Sequence, residues 1–299
     1  MAPFFTVIIP TFNRYDLACR AVRSVLAQTL HDFELIVVDD HSTNYPLDAF
    51  LELADPRLSV VQNQRSKGAC GARNTGIALA NGQWVSFLDD DDEWLPEKLE
   101  RQQDLIESPT FGQKVVLIHS GAIVSDGKRN HRQIKKPIDR FPDVKRNLLY
   151  QNYVGGMSSV TVRVEAIQAV SGFDERLPSV QDLDLFVRLS EHGAFRLLPA
   201  WLTLQHIHHG DRITTSADKK LFATDYLRQK YIKEIRSSFL LRYAFGTRSY
   251  RYAMMGRHWG RALKSAPWAL AGAVVDRGKF RKSLSTSFRA ITHRPPARP

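Results

Sequence analysis

The sequence has little cysteine and no long hydrophobic run. Only Cys19 and Cys70 carry thiols among 299 residues, too few for a disulfide scaffold. No stretch reaches the roughly 18 to 20 unbroken apolar residues of a membrane span. A strand-like run from Phe5 occupies the N-terminus in place of a signal peptide. We therefore expect a cytoplasmic protein whose length and 43% apolar content allow one large domain plus an appendage.

The net charge of +11 is unevenly distributed along the chain. Residues 226–299 carry 17 Lys and Arg against two acids, a net of +15, whereas residues 1–225 carry 25 against 29, a net of −4. Aromatic and aliphatic residues interleave with the C-terminal cations, as in helices that bind anionic membrane surfaces. We predict a basic helical extension over 226–292, peripheral on the inner face of the membrane, and a disordered tail at 293–299. A solvated appendage is the alternative. No nucleic acid is expected, since no reading motif is present.

Four consecutive acids, Asp89 to Asp92, follow the apolar, strand-like residues 84–88. Carboxylates this close repel one another unless a cation or a helix N-terminus compensates them. The spacing of later apolar residues and Pro96 predict a helix from Trp94, which Asp92 would cap. Capping does not need four acids. The excess is what a hard divalent ion holding phosphate oxygens would use, and a solvated acidic turn is the alternative.

Two earlier strands also end in polar residues. Residues 5–10 and 33–38 are apolar runs, and an apolar-periodic stretch at 17–26 separates them. This order predicts a βαβ unit in a parallel sheet that is buried on both faces. The carboxyl ends of such strands line the ligand crevice of an open α/β sheet. The polar residues at these ends are Thr11, Asn13, Asp39, Asp40 and the four acids. The sequence therefore predicts a nucleotide crevice.

Four motifs in this region resemble those of the family 2 inverting glycosyltransferases of GT-A fold. They are VIIPTFNR at 7–14, VVDDHS at 37–42, KGACGARNTG at 67–76 and FLDDDDEWLP at 87–96. The resemblance covers residues 5 to 105 and extends more weakly to 215. It implies a GT-A domain over 1–225, an α/β fold whose mostly parallel central sheet is flanked by helices, with a Rossmann-like nucleotide-binding half.

The resemblance also implies which residues bind a nucleotide-diphosphate sugar, with UDP as the expected nucleotide. Asp40 would hydrogen-bond the base, because a carboxylate only accepts and uracil offers an N–H; a turn or cap acid is the alternative. Arg73 would contact the nucleotide, and an exposed helix arginine is the alternative. The other implied contacts are Pro10, Thr11, Asn13 and Arg14.

Within the acid run, the resemblance maps a D-x-D motif onto Asp89, Asp90 and Asp91. Asp91 would ligate Mn²⁺ or Mg²⁺ on the diphosphate. Asp89 would be a second ligand and, with Asp90, a contact of the ribose or sugar. Such a dication is useful because a departing nucleoside diphosphate accumulates negative charge.

An inverting transfer further needs a base opposite the leaving group. Asp182 resembles the aspartate of the family's second acidic motif and could take the acceptor hydroxyl's proton. The residue before it is Gln181, where glutamate is commonest in the family. A helix cap at Asp182, or Asp184 as the base, is the alternative. In similar enzymes Gln181, Gly155 and Gly156 would border the acceptor, although paired glycines also make tight turns.

Three histidines cluster at 206, 208 and 209. No paired cysteines accompany them, so a four-ligand structural zinc site is not favoured. The resemblance implies that His208 or His209 contacts the metal or diphosphate and that Arg212 clamps phosphate. A solvated polar loop is the alternative.

These observations predict a metal-dependent inverting glycosyltransferase acting on a hydroxyl of a glycan or glycolipid, in synthesis of a cell-surface polysaccharide or lipopolysaccharide. One alternative is a nucleotidyltransferase that forms a sugar nucleotide. Another is a non-catalytic module that binds nucleotide sugars or polyanions. Gly68, Gly71 and Gly76 do not form G-x-G-x-x-G, and no P-loop is present, so neither a Rossmann dehydrogenase nor a P-loop enzyme is predicted.

Overall fold

The computed structural model describes residues 2–43, 50, 53–112, 114–136, 140–207 and 216–275. These divide into two compact units. The first contains the described residues of 1–140, 152–175 and 181–209, and the second those of 141–151, 176–180 and 210–299.

A mixed sheet forms the first unit. Its strands are β1 Phe5–Thr11, β2 Phe33–Asp39, β3 Leu58–Gln62, β4 Trp84–Phe87, β5 Asp92–Trp94, β6 Val115–Ser125, β7 Asn130–Gln133, β8 Val160–Arg163 and β9 Ala194–His206. Their order is β3-β2-β1-β4-β8-β6-β9-β5, with β7 on β6. Strands β1 to β4 pair in parallel, as do β6 and β9. The other pairings in the described residues are antiparallel. The predicted α/β fold is confirmed, and its continuous parallel part is β3-β2-β1-β4.

The helices are α1 Tyr15–Leu26, α2 Ala69–Leu79, α3 Lys98–Glu107, α4 Val144–Tyr150, α5 Val164–Ala169, α6 Gln181–Leu189, α7 Ala217–Lys230, α8 Ile232–Arg236, α9 Phe239–Met255 and α10 Trp259–Val275. A 3₁₀ turn lies at Met157–Ser159. Helices α4 and α7 to α10 belong to the second unit.

The central strands form because their residues are apolar on both faces. All seven residues of β1 are buried, and β2 is buried apart from Glu34. Helix α1 buries Ala18, Val22 and Val25 in the same core. Both predicted strands and the predicted helix between them are thus present.

Glycines in and before α2 allow the chain to pack closely. Gly68 has φ +122°, a conformation that residues with a Cβ rarely adopt. A Cβ on Gly71 would lie 1.8 Å from the backbone oxygen of Ser66, and one on Gly76 would lie 2.7 Å from Cγ2 of Ile8. These glycines bring α2 against β1 and its own preceding loop.

The prediction that a helix follows the acid run directly is wrong. Asp92–Trp94 form β5, which pairs antiparallel with β9, Asp92 standing opposite Gln205. Helix α3 begins only at Lys98, with Glu97 at its N-cap. Asp92 is therefore a strand residue and not a helix cap.

The second unit is helical, which confirms the predicted C-terminal helical extension as far as residue 275. Leu221 of α7, Ala253 and Met254 of α9 and Ala262 of α10 form a small core. The boundary predicted at residue 225 falls inside α7, and the predicted tail at 293–299 lies outside the described residues. No helix in the described ranges is long and apolar enough to cross a membrane.

Candidate active site

The carboxyl ends of β1, β2 and β4 meet at one edge of the sheet, because these strands are parallel neighbours. Thr11, the last residue of β1, donates from Oγ1 to Oδ2 of Asp90 at 3.1 Å. The backbone carbonyl of Thr11 accepts from the Asp40 N–H at 2.8 Å. The acids that follow β2 and β4 therefore share a single crevice with the end of β1.

Asp40 is buried where β2 leaves the sheet. Its Oδ1 accepts from Nδ2 of Asn63 at 2.7 Å, and its Oδ2 accepts from the Gly68 N–H at 2.8 Å. These bonds hold the loop before α2 against the end of β2. Each carboxylate oxygen has a second lone pair, so the predicted contact with a nucleotide base remains chemically open.

Asn13 links the loops that follow β1 and β2. Its backbone N–H donates to Oγ of Ser42 at 2.8 Å, and its Oδ1 accepts from the Thr43 N–H at 2.9 Å. Its φ of +52° belongs to the left-handed region, which asparagine tolerates. Pro10 is buried within β1, opposite Val38 of β2. Of these two predicted nucleotide contacts, Asn13 is exposed at the crevice, whereas Pro10 is part of the sheet.

Three carboxylates of the acid run converge. Asp89, Asp91 and Asp92 each offer an oxygen, and these oxygens lie within 4.8 Å of one another. Burial, reinforced by the nearby Asp89 charge, raises the pKa of Asp92 to about 8. A divalent cation among these carboxylates would offset that unfavourable negative charge, and all-oxygen ligands suit Mn²⁺ and Mg²⁺. The residues therefore fit a dication. Asp92, predicted only to cap a helix, joins Asp89 and Asp91 as a candidate ligand.

Asp90 and Asp91 share a cation, Arg14. Oδ1 of Asp90 lies 3.4 Å from NH1 of Arg14, which is also 3.5 Å from Oδ2 of Asp91. Burial raises the pKa of Asp90 to about 6, although Arg14 opposes this shift. Asp90 therefore connects β1 and Arg14 to the acid run.

Ser158 supports the acidic cluster from the 3₁₀ turn before β8, and sequence reasoning missed it. Its Oγ donates to Oδ2 of Asp92 at 2.6 Å and accepts from the Asp89 N–H at 3.2 Å. Its carbonyl accepts from Nε1 of Trp94 at 2.7 Å. No local pattern marks this serine, because its partners are 66 and 69 residues away in the chain.

Arg73 provides a buried cation beside the acids. Its NH2 pairs with Oδ1 of Asp89 at 2.5 Å, and its guanidinium lies 5.4 Å from the ring centroid of Phe173. The alternative that Arg73 is merely an exposed helix arginine is excluded by its burial. Two buried polar atoms of the crevice, Nε of Arg73 and Oδ1 of Asp39, have no hydrogen-bond partner among the described residues. Such atoms are typical of a site that receives a polar ligand.

Arg20 is a second cation that sequence reasoning missed. It extends from α1, donates from NH2 to the backbone oxygen of Asp91 at 3.0 Å, and lies 3.2 Å from Glu93 through Nε. Helical periodicity assigns Arg20 to the surface of α1 without indicating this contact. The acid run is thus held by contacts from α1 as well as from the 3₁₀ turn before β8.

Asp182 lies in the first turn of α6. Its Oδ2 accepts from Nδ2 of Asn152 at 3.0 Å. Burial raises the pKa of Asp182; the charges of Lys135 and Arg73 oppose the shift, and that of Asp89 adds to it. Asp182 therefore lies within electrostatic reach of Asp89 and Arg73.

The competing base, Asp184, has a structural role. It is fully buried and accepts from Nε of Arg188 at 2.8 Å. Arg188 in turn donates from NH1 to the carbonyls of Val170 and Gly172, both at 2.7 Å. Asp184 thus anchors α6 to the end of α5.

Gly155 and Gly156 form a turn beside Asp182. Oδ1 of Asn152 accepts from the Gly155 N–H, and its Nδ2 donates to the Gly155 carbonyl, both at 3.1 Å. Gly155 has φ +123°, so a side chain there would be strained. The side chain of Gln181 hydrogen-bonds Cys70 of α2, whose thiol pKa is raised to about 12 by burial. The structure thus brings Asp182 together with the predicted acceptor glycines, while Gln181 contacts α2.

Of the histidine cluster, only His206 lies within the described residues. Its ring atom Nε2 is 2.7 Å from Oε1 of Glu93, and its backbone N–H donates to Oδ1 of Asp92 at 3.3 Å. The predicted contacts His208, His209 and Arg212 lie outside the described residues.

Fold and site together define a GT-A glycosyltransferase. The sequence matches the family model described as Glycosyl transferase family 2 over residues 6–170, more than half of its length. The chain belongs to glycosyl transferase family 2. This confirms the predicted family and enzyme class and excludes the two alternatives, a nucleotidyltransferase and a non-catalytic binding module.

Two relatives illustrate the family's range. The putative colanic acid biosynthesis glycosyl transferase WcaA of Escherichia coli K12 is 30% identical over 77% of this chain and 81% of its own. WfgD of Escherichia coli, described as a UDP-Glc:alpha-D-GlcNAc-diphosphoundecaprenol beta-1,3-glucosyltransferase, is 40% identical over 32% of this chain and 38% of its own.

Solved structures of low sequence identity share the fold. TarS of S. aureus (residues 1–349, with UDP-GlcNAc) superposes with a TM-score of 0.64 at 19% identity, covering 96% of this chain and 81% of TarS. The mannosyltransferase PcManGT of Pyrobaculum calidifontis, with GDP-Man and Mn²⁺, gives a TM-score of 0.58 at 18% identity and covers 99% and 82%. These likenesses confirm the GT-A fold.

Proposed function

We propose that this enzyme transfers a sugar from a UDP-linked donor to a hydroxyl of a lipid-linked glycan, with inversion at the anomeric carbon, during synthesis of a cell-surface polysaccharide. The observation that carries the proposal is the meeting of three carboxylates with a buried arginine at the ends of parallel strands. That combination suits a diphosphate and its counter-cation.

The donor would bind along the ends of β1, β2 and β4. Asp40 would accept from the base, and the unpartnered Nε of Arg73 would donate to the diphosphate. Thr11, Asn13 and Arg14 line the same edge. UDP is proposed as the nucleotide because TarS is solved with UDP-GlcNAc and WfgD is described as using UDP-Glc.

Asp89, Asp91 and Asp92 would hold a divalent ion, Mn²⁺ or Mg²⁺, as PcManGT is solved with Mn²⁺. When bound, such an ion offsets the negative charge that develops on the leaving diphosphate. Ser158 keeps two of these acids in place. Arg73 is held against Asp89 and would meet the same diphosphate.

Asp182 would be the catalytic base. The acceptor oxygen attacks the anomeric carbon on the face opposite the diphosphate. As the new bond forms, the bond to the diphosphate oxygen breaks and the hydroxyl proton passes to a carboxylate oxygen of Asp182. A pKa raised by burial makes the carboxylate a stronger proton acceptor. Asn152 orients the carboxylate from the glycine turn.

The relatives and the charge distribution support a lipid-linked acceptor and action at a membrane. WcaA is described as a colanic acid biosynthesis enzyme, and WfgD as acting on a diphosphoundecaprenol-linked sugar. A lipid-linked acceptor lies at a membrane, and the net charge of +15 over 226–299 suits an anionic membrane surface. We therefore propose that the enzyme acts at the inner membrane face and that the acceptor binds beside Asp182 and Gly155.

The test is an NMR assay with UDP-glucose, UDP-GlcNAc and GDP-mannose, with or without Mn²⁺, and a polyprenyl-diphosphate-linked monosaccharide as acceptor. We expect metal-dependent consumption of a UDP-sugar and a product whose anomeric configuration is opposite to that of the donor. Retention of configuration, or turnover of GDP-mannose alone, would contradict the proposal.

A further inference from the structure

Helix α10 carries an apolar stripe that the described residues of the second unit leave uncovered. We define this stripe as Trp259, Leu263, Pro267 and Leu270. Leu263 is 74% exposed, Leu270 65% and Trp259 49%, and Pro267 is also exposed. Large apolar side chains exposed this fully are unremarkable singly, but a contiguous row of them indicates an interaction surface.

The four residues lie on one side of the helix. They are spaced by four, four and three residues, which at 3.6 residues per turn keeps them in one row. The neighbouring side of α10 is buried, where Ala262 and Ala269 pack inward. The helix is therefore apolar over a broad arc, and only part of that arc is used for folding.

Cations lie close to the stripe in the sequence. Arg257 and Lys264 are exposed near its start and middle, while Arg261 pairs with Asp225 of α7 at 3.1 Å. Beyond the described helix, residues 276–299 add seven Lys and Arg and a single acid. An apolar row with cations on one side is typical of a helix that lies in the headgroup region of an anionic membrane.

We propose that the stripe is a membrane-docking face, on which α10 lies parallel to an anionic phospholipid surface with Trp259, Leu263 and Leu270 inserted among the headgroups. Trp259 suits this position because an indole has an apolar body and a polar N–H. This inference rests on the proposed function in one respect: docking would bring the enzyme to a lipid-linked acceptor.

The charge on this part of the chain selects a membrane over a second copy as the occupant. Two copies meeting through α10 would bring together two segments that each carry a net charge of +15 over residues 226–299. Like charges oppose such an interface, whereas an anionic lipid surface attracts both the cations and the apolar row.

The first test is flotation of the full-length protein with phosphatidylcholine vesicles that contain or lack phosphatidylglycerol. We expect binding to the anionic vesicles and little to the neutral ones. The double variant Leu263→Ser/Leu270→Ser should lower the partition coefficient at least about tenfold, because it removes two side chains that would be buried in the interface. The matched control is Leu79→Ser, since Leu79 is 46% exposed on α2 of the first unit. It should bind like the wild type.

A second arm tests the electrostatic contribution. Lys264→Gln should weaken binding about fivefold at low salt, the effect expected of one interfacial cation. Circular dichroism and Mn²⁺-dependent UDP binding should be unchanged in all these variants. Wild-type partitioning of the double variant, or equal binding to neutral vesicles, would overturn the inference. So would a change of oligomeric state with no vesicle binding by the wild type. Vesicle binding needs no donor, so failure of this inference and failure of the proposed reaction are distinguishable.

Discussion

The two sides of the crevice are built differently. Asp40, Arg73 and the acid run lie at or beside the ends of parallel strands, where sheet register brings them together. Asp182 instead lies at the start of a helix and is held by Asn152 from a glycine turn. In the proposed reaction the first side binds the donor, and the second performs the chemical step. We therefore expect mutations on the two sides to have separable effects on affinity and on kcat.

The largest effect is expected from Asp182→Asn. Asparagine keeps the size of the side chain but cannot take the proton, so kcat should fall about 10³-fold while UDP affinity is unchanged. Steady-state kinetics measure kcat, and calorimetry measures the UDP affinity. Asp184→Asn is the control: it weakens the contact with Arg188 and should lower stability without that loss in kcat. A large loss of UDP affinity in Asp182→Asn would show that Asp182 also contributes to donor binding, and the effects of the two sides would then not be separable.

On the donor side, Ser158→Ala removes the hydroxyl that contacts both Asp89 and Asp92. Groups that orient metal ligands typically affect metal affinity by about 10- to 100-fold, so the Mn²⁺ concentration for half-maximal activity should rise by that order. At saturating Mn²⁺ most of the activity should return. The control is Ser120→Ala, which removes a buried hydroxyl that donates to the neighbouring Gly121 carbonyl; this change should not alter the Mn²⁺ requirement.

The positioning role of Asn152 predicts a change in pH dependence. The side-chain Nδ2 of Asn152 donates to Asp182 and so favours the ionised carboxylate. Because Asn152→Ala removes this hydrogen bond, it should raise the pKa of the Asp182 carboxyl. Because the base must be deprotonated, activity should fall most at low pH, by roughly tenfold, and the acid limb of kcat should move to higher pH. Arg73, Lys135 and Asp89 also act on Asp182 and remain in the variant. Uniform loss at every pH would indicate a structural effect alone.

The smallest effect on activity is expected at Lys98, which belongs to neither side. Lys98 is fully buried; its Nζ contacts Gln102 and lies 4.0 Å from the Trp94 ring centroid. Burial lowers its pKa to about 7. Between pH 7 and 10.5 the unfolded chain binds more protons, so this group should raise stability by up to about 1.4 kcal/mol per pH unit as pH rises.

Lys98→Met should remove that slope and increase the free energy of unfolding near pH 7, with kcat and Mn²⁺ affinity little changed. Denaturant unfolding at several pH values measures the slope. An unchanged slope in the variant would show that Lys98 is not its source.

Sequence reasoning succeeded where one strand determines a group's position. The apolar runs of β1 and β2 predicted both the parallel sheet and the convergence of Thr11 and Asp40, because register fixes where such strands end. It failed at Asp92, since helical spacing after Trp94 could not show that β9 pairs with this segment first. It missed Ser158 and Arg20 because their contacts with the acid run join segments distant in the chain. The roles assigned to individual site residues remain predictions.

The most direct test of the central claim is calorimetric titration of UDP into the wild type and Asp91→Asn, each with and without Mn²⁺. The acidic cluster predicts that wild-type affinity rises sharply with Mn²⁺ and that this gain is lost in Asp91→Asn, while Asp104→Asn, a change on α3, behaves like the wild type. Equal UDP affinity of Asp91→Asn and the wild type in the presence of Mn²⁺, or no gain from Mn²⁺ in the wild type, would contradict a metal-assisted donor site at the ends of these strands.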